Sequence, residues 1–108
     1  MTFEKSISIF EKINSTKLQK LKEDLFETAI RYARIRTDWY FMSDEEKRSN
    51  DDLRTKTHNT LIDACNILSR KMIKANEDAS WRTDLGNDRK EIGDFACYVH
   101  CFLGLSAR

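Results

Sequence analysis

The distribution of helix-breaking residues constrains this chain more than any other feature of its sequence. Proline is absent, and the three glycines, Gly86, Gly93 and Gly104, all lie in the last quarter. Because proline and glycine are the two residues least compatible with a helix interior, the first three quarters can form long helices. No segment shows the alternation of apolar and polar residues that is typical of a half-buried strand. The sequence therefore predicts an all-α fold.

Apolar residues recur at steps of three and four along most of the chain, which is the period of an amphipathic helix. The predicted segments are a short helix over 3–13, long helices over 16–42 and 43–75, a single turn at Trp81–Leu85 and a last helix from Asn87 onward. Short connections favour antiparallel neighbours. We expect a small antiparallel helix bundle with three main helices and a short N-terminal helix.

Three sites carry the sequence signals of a helix N-terminus. Thr16 with Gln19 and Ser43 with Glu46 have the spacing of a capping box, in which each side chain satisfies a free backbone N–H group. Asn87 precedes acidic residues and is expected to cap the last helix. Two alternatives are open at Ser43: a new helix begins there, or the chain kinks before Asn50.

Length and charge limit the possible partners. The 108 residues contain no linker-like stretch, so one domain over residues 1–108 is predicted. The 19 Lys and Arg residues nearly balance the 18 Asp and Glu residues, leaving a net charge of +1. Non-specific nucleic-acid binding depends on accumulated positive charge, so a nucleic-acid partner is disfavoured. No apolar run reaches the ~18–20 residues of a membrane span, and no membrane partner is expected.

The cysteines and the N-terminal residues bear on the cellular compartment. A count of three cysteines is odd, whereas a disulfide framework requires pairs. The first six residues include an acid and a base before only a few apolar residues, which is not the pattern of a signal peptide. These features predict a cytoplasmic protein with reduced thiols.

The last predicted helix lacks a polar face. Between Ile92 and Leu105 the only ionisable residues besides Cys and Tyr are Asp94 and His100. A helix that is apolar all round must be covered all round. Either the chain's own helices enclose it, with the 3–13 helix over its far face, or a second copy covers that face. In the second alternative the homodimer interface would contain Cys97, Tyr98, Cys101 and Leu105.

Two glycines lie along one flank of the same helix. Gly93 and Gly104 share this flank with Cys97 and His100. Glycine inside a helix costs roughly 0.5–1 kcal/mol relative to alanine, so its presence predicts a close approach by another backbone or by a ligand. Helix packing is the simpler of these two explanations.

Arg36 is the most unusual polar residue. It lies in an apolar stripe between Tyr32 and Trp39, where a buried guanidinium requires a partner. Three explanations are open: the side chain extends to water, it binds an anionic ligand, or it forms a salt bridge. The acids considered for the salt bridge are Asp63, Asp84 and Asp94.

The segment from Trp81 to Arg89 combines an aromatic residue with several charges. Arg82 and Arg89 flank a predicted helix N-terminus, which could attract an anion. Nearby acids weaken that attraction. The favoured interpretation is a structured turn in which Trp81 closes one end of the bundle and Arg–Asp pairs hold the loop.

Signals for catalysis or metal binding are weak. The chain lacks the nucleophile elbow, the phosphate-binding glycine loops and the zinc-protease helix motif. Five residues could in principle form a zinc site, but their spacing matches no zinc finger or knuckle, and buried cysteines are usually structural. These residues are His58, Cys65, Cys97, His100 and Cys101. No metal and no cofactor are expected.

These observations favour a small non-enzymatic interaction or regulatory protein that self-associates through its C-terminal helix. The alternative is an enzyme or a binding protein for an anionic small molecule. Its pocket would be lined by Arg36, Trp39, His58, Trp81, Arg82 and His100.

Overall fold

The protein is a small bundle of helices. The computed structural model describes the backbone of residues 1–106 and the side chains of residues 1–104. Within that range there are five helices and no strand: α1 (Phe3–Asn14), α2 (Gln19–Tyr40), α3 (Asp44–Lys74), α4 (Trp81–Leu85) and α5 (Arg89–Ser106). Helix α2 packs most extensively against α3 and α5, while α1 contacts α4 and α5. The predicted all-α bundle is confirmed.

The apolar stripes of the sequence form the core. Helices α2 and α3 are joined by only three residues and lie side by side, so they run antiparallel. The central positions of each predicted stripe are fully buried and meet in one cluster. These residues include Leu25, Ala29 and Tyr32 of α2, Leu61, Leu68 and Met72 of α3, and Ile92, Phe95 and Val99 of α5.

One of the two predicted capping boxes is present. The N–H of Glu46 donates to the Ser43 hydroxyl at 3.2 Å, and the N–H of Ser43 donates to the Glu46 carboxylate at 3.2 Å. The box predicted at Thr16 and Gln19 is wrong, because α2 begins at Gln19 itself and has Leu18 as its N-cap. Thr16 is buried, and its hydroxyl accepts a hydrogen bond from the N–H of Leu18 at 3.3 Å.

The cap predicted for the last helix is displaced by one residue. The N–H of Glu91 donates to the Asp88 carboxylate at 3.0 Å, so Asp88 and not Asn87 caps α5. The Asn87 side chain instead accepts a hydrogen bond from Arg82. Gly86 ends α4 with a φ of 68°, a left-handed conformation that glycine adopts at little cost.

Helix α3 extends beyond the core. It has 31 residues against the 22 of α2, in a molecule whose longest dimension is 47 Å. No residue from 44 to 56 is fully buried. Leu53 was expected in the buried stripe but is 51% exposed. The reason is that Arg54, the next residue, faces α2 and places its guanidinium over the ring of Trp39, 4.4 Å from its centroid.

Candidate interaction surface

An open groove follows the seam between α2 and α5. One cavity of about 610 Å³ has Phe26, Ile30 and Leu103 in its walls. A second, of about 340 Å³, is lined by Ala33, Thr37 and residues of α5 that include Cys97, His100 and Cys101. Arg34 borders both cavities. We refer to the two cavities together as the α2–α5 groove.

Charged residues along α2 form one rim of this groove. Glu23 and Glu27 lie towards its N-terminal end, and Arg31 and Arg34 follow. The Arg31 guanidinium is 3.5 Å from the Glu27 carboxylate, and both side chains are more than half exposed. Lys22 and Asp38 also line the groove, so the rim carries both signs, with Glu23 and Glu27 before Ile30 and Arg31 and Arg34 after it.

The side chains predicted for an interface lie on two flanks of α5. Cys97 is half-buried and Cys101 is exposed, and both line the α2–α5 groove. Tyr98 lies on the flank covered by α1, with its ring 5.6 Å from the ring of Phe3. The side chain of Leu105 lies outside the described residues. Helix α1 thus covers part of α5, as one alternative expected, but it leaves Cys101 exposed.

The three thiols lie in very different surroundings. Cys65 is fully buried, and this burial raises the pKa of its thiol to about 12. Cys101 is exposed. Because the thiolate is the reactive species, the burial of Cys65 and the raised pKa of its thiol both protect it from reaction.

We expect a maleimide reagent to label Cys101 rapidly in the folded protein and Cys65 only after unfolding. With a pKa of about 12, about one Cys65 thiol in ten thousand would be ionised near pH 8. Mass spectrometry of digested samples taken over time would identify the labelled residue. The Cys101→Ser variant serves as the control and should lose the rapid reaction. Equal labelling rates for Cys65 and Cys101 in the native protein would contradict the structure.

Arg36 forms a salt bridge with Asp94. Its Nη1 atom lies 3.0 Å from Asp94 Oδ1 and also donates to the Cys97 sulfur at 3.7 Å. The amino group of Met1 binds the second Asp94 oxygen at 3.1 Å. Burial alone would raise the pKa of Asp94, but hydrogen bonds from the Met1 amino group and Arg36 outweigh this effect and lower it. Among the explanations open for Arg36, the structure therefore shows a salt bridge.

The same guanidinium explains the glycine at position 93. A Cβ atom added to Gly93 would lie 2.8 Å from Arg36 Nε, so the missing side chain provides the space for Arg36 to reach Asp94. The close neighbour is thus a side chain, not the backbone or ligand expected from the sequence. A Cβ at Gly104 would have nothing within 4 Å, and the expectation of a close approach there is wrong.

Trp81 and Arg82 make contacts that stabilise the fold. Trp81 is fully buried in the core, and its indole N–H donates to the sulfur of Met72 at 3.3 Å. Arg82 binds the Asn66 side chain at 2.8 Å and the Gly86 carbonyl at 2.7 Å. The turn is held by Arg82 as expected, but through amide and carbonyl oxygens instead of the predicted Arg–Asp pairs.

The other residues of the predicted ligand pocket lie on three different helices. His58 is buried with its ring 5.6 Å from that of Tyr32, and its Nε2 atom has no partner within the described chain. Trp39 lies beneath Arg54 near the end of α2. His100 borders the α2–α5 groove. His58 and Trp39 thus both lie at the contact of α2 with α3, whereas His100 lies on α5.

The described residues contain no cluster of three or more His, Cys, Asp and Glu side chains that could hold a metal ion. None of the helices described in residues 1–106 is both long and apolar enough to cross a membrane. Comparisons of this chain with family models, curated proteins and solved structures found no match.

Two surface features were missed in the sequence. One is the placement of Glu27 and Arg34 on either side of Ile30 at the α2–α5 groove, for which their spacing was an available signal. The other is the exposed pair Tyr40 and Phe41 at the end of α2. Its signal was an unbroken aromatic run, Trp39 to Phe41, of which one helix face can bury only part.

Proposed function

We propose that this chain is a small non-enzymatic interaction protein that forms a homodimer through the α2–α5 groove. The observation that carries the proposal is an open groove with apolar walls on the flank of α5 that α1 does not cover. A second copy packed along α2 would cover Ile30, Leu103 and Cys101. A regulatory role in the cytoplasm, where exposed thiols stay reduced, is part of the proposal.

The charges along α2 support an antiparallel arrangement of two copies. Five groove residues follow one another at steps of four and three, which places them along one stripe of α2: Glu23, Glu27, Ile30, Arg34 and Thr37. With α2 antiparallel to its copy about a two-fold axis at Ile30, each Glu27 faces the other copy's Arg34. A parallel arrangement would place like charges opposite each other. Self-complementarity of this kind is what a two-fold interface requires.

Charge reversal at either position should weaken the dimer. In Glu27→Arg or Arg34→Glu, two attractive contacts become repulsive, and we expect the dissociation constant to rise about tenfold or more. The double variant Glu27→Arg/Arg34→Glu restores opposite charges across the interface and should recover most of the affinity. Sedimentation equilibrium over a micromolar concentration series measures these constants directly.

Arg70→Glu is the matched control, because Arg70 is an exposed helical arginine on α3 that borders a different cavity. Its dissociation constant should equal that of the wild type. A wild-type protein that remains monomeric across the series would overturn the proposal. Failure of the double variant to recover would reject the antiparallel arrangement.

A further inference from the structure

The connection between α2 and α3 presents two large aromatic side chains to solvent. Phe41 is 86% exposed and Tyr40 is 66% exposed. Aromatic residues dominate the binding energy of many protein interfaces, so two adjacent exposed aromatic side chains are a candidate contact site. We call residues 38–46, which contain the end of α2 and the start of α3, the hairpin tip.

The hairpin tip is held in a defined conformation. The N–H of Phe41 donates to the Asp38 carbonyl at 3.0 Å, and the N–H of Met42 donates to the Trp39 carbonyl at 3.2 Å. The capping box of Ser43 and Glu46 begins α3 directly afterwards. The backbone that carries the aromatic side chains is thus held before any partner arrives, which lowers the entropic cost of binding.

The charge of the tip specifies the chemistry of its partner. Between Asp38 and Asp52 the chain has six acids against two bases, Lys47 and Arg48, so the surface around the tip is acidic overall. Asp38, Asp44 and Glu45 are exposed and form no ion pair within the described residues. Hydrogen bonds from Ser43 lower the pKa of Glu46, which keeps this carboxylate ionised. Such a surface repels nucleic acids and anionic lipids and attracts cationic groups.

We propose that the hairpin tip is a docking site for a basic amphipathic helix of another protein. The apolar face of that helix covers Phe41 and Tyr40, while its Lys and Arg residues pair with the surrounding carboxylates. This is helix recognition by apolar anchors with charge complementarity at the rim. The aromatic anchors are distinct from the dimer surface, because Tyr40 and Phe41 do not line the α2–α5 groove, although Asp38 borders both.

A synthetic peptide of Lys and Leu arranged with helical periodicity is the probe, and fluorescence anisotropy of the labelled peptide gives its dissociation constant. A scrambled peptide of the same composition and a Glu/Leu peptide of the same pattern test amphipathicity and charge. We expect the Lys/Leu helix to bind at least about tenfold more tightly than either control peptide. Equal binding of the scrambled peptide would overturn the proposal.

Three variants locate the binding surface. Phe41→Ser should weaken binding about tenfold, and Asp44→Asn/Glu45→Gln should weaken it severalfold and reduce its salt dependence. Ile73→Ser is the matched control, because Ile73 is 64% exposed but lies among the basic residues Arg70, Lys71 and Lys74. Unchanged binding by Phe41→Ser, or equal weakening by Ile73→Ser, would overturn the proposal.

A second copy is the competing occupant of the tip. Its basic surface around Ile73 has the required charge, and it would join copies head to tail. Concentration-dependent assembly that persists in Arg34→Glu and is abolished by Lys71→Glu/Lys74→Glu would show that the tip binds this surface, and would overturn the assignment of another protein.

Discussion

Replacing Trp81 with alanine is expected to lower the free energy of unfolding by about 3–5 kcal/mol. The indole is fully buried, lies in the core cluster and donates its N–H to the sulfur of Met72. Truncation would leave a cavity next to α3 and remove this contact. The total free energy of unfolding of a small domain is about 5–15 kcal/mol, so the substitution would remove a large part of the stability.

Urea unfolding followed by far-ultraviolet circular dichroism measures this change. Trp81→Phe keeps most of the ring volume and should cost less, about 1–3 kcal/mol, which provides a measurement if the alanine variant does not fold. Phe41→Ala is the matched control, because its ring is exposed and should change the free energy by less than about 0.5 kcal/mol. If the Trp81 and Phe41 truncations had equal effects, the structure would be wrong at Trp81.

Replacing Asp94 with asparagine is expected to lower the free energy of unfolding by about 2 kcal/mol near neutral pH. The substitution preserves the shape of the side chain but leaves the mostly buried guanidinium of Arg36 without its counter-ion. Arg36 Nη1 and Asp94 Oδ1 are 3.0 Å apart, with 18% and 22% of the two side chains exposed. An unpaired guanidinium at this partly buried position lowers the free energy of unfolding by more than the ion pair raises it.

The effect of this substitution should depend on pH. The folded pKa of Asp94 is lowered from its ordinary value of 3.8, since hydrogen bonds from the Met1 amino group and Arg36 exceed the opposing effect of burial. The carboxylate therefore contributes stability that is fully present above 3.8 and is lost as the pH falls through the lowered folded pKa. The difference between wild type and Asp94→Asn should be constant near neutral pH and shrink in strong acid.

Asp84→Asn is the control for this experiment. Asp84 is half exposed and lies 3.9 Å from Lys12 Nζ, so its removal should cost less than about 0.5 kcal/mol. The double variant Arg36→Met/Asp94→Asn removes both charges and should recover part of the loss. Equal effects of the Asp94 and Asp84 substitutions would show that the buried pair does not stabilise the fold.

The helices and their buried faces could be predicted because period and composition are local properties. Leu61, Leu68 and Met72 are buried because they lie on the apolar face of an amphipathic helix. The ends of the helices were less predictable, because they depend on which of several nearby polar side chains reaches a free N–H group. Asp88 and Asn87 are both good N-cap residues. The Asn87 side chain accepts a hydrogen bond from Arg82, and Asp88 caps α5.

Contacts between helices could not be derived from periodicity. Asp63, Asp84 and Asp94 were equivalent partners for Arg36 until the packing of α2 on α5 was known. Gly93 indicated a close approach but not its source. The exposure of Leu53 depends on the rotation of α3 against α2, which places Arg54 over Trp39. A ligand pocket cannot be derived from periodicity for the same reason, since it requires side chains from several helices to converge.

Helix α3 has one part outside the core and one part inside it, and the two parts are subject to different requirements. Residues 44–56 supply no fully buried side chain, whereas the remainder of the helix contributes Leu61, Leu68 and Met72 to the interior. Apart from the capping residue Glu46 and the contact of Arg54 with Trp39, substitutions in residues 44–56 should therefore have little effect on folding. Over evolution, residues 44–56 can diverge more freely, while the remainder of the bundle stays under a constant requirement for stability.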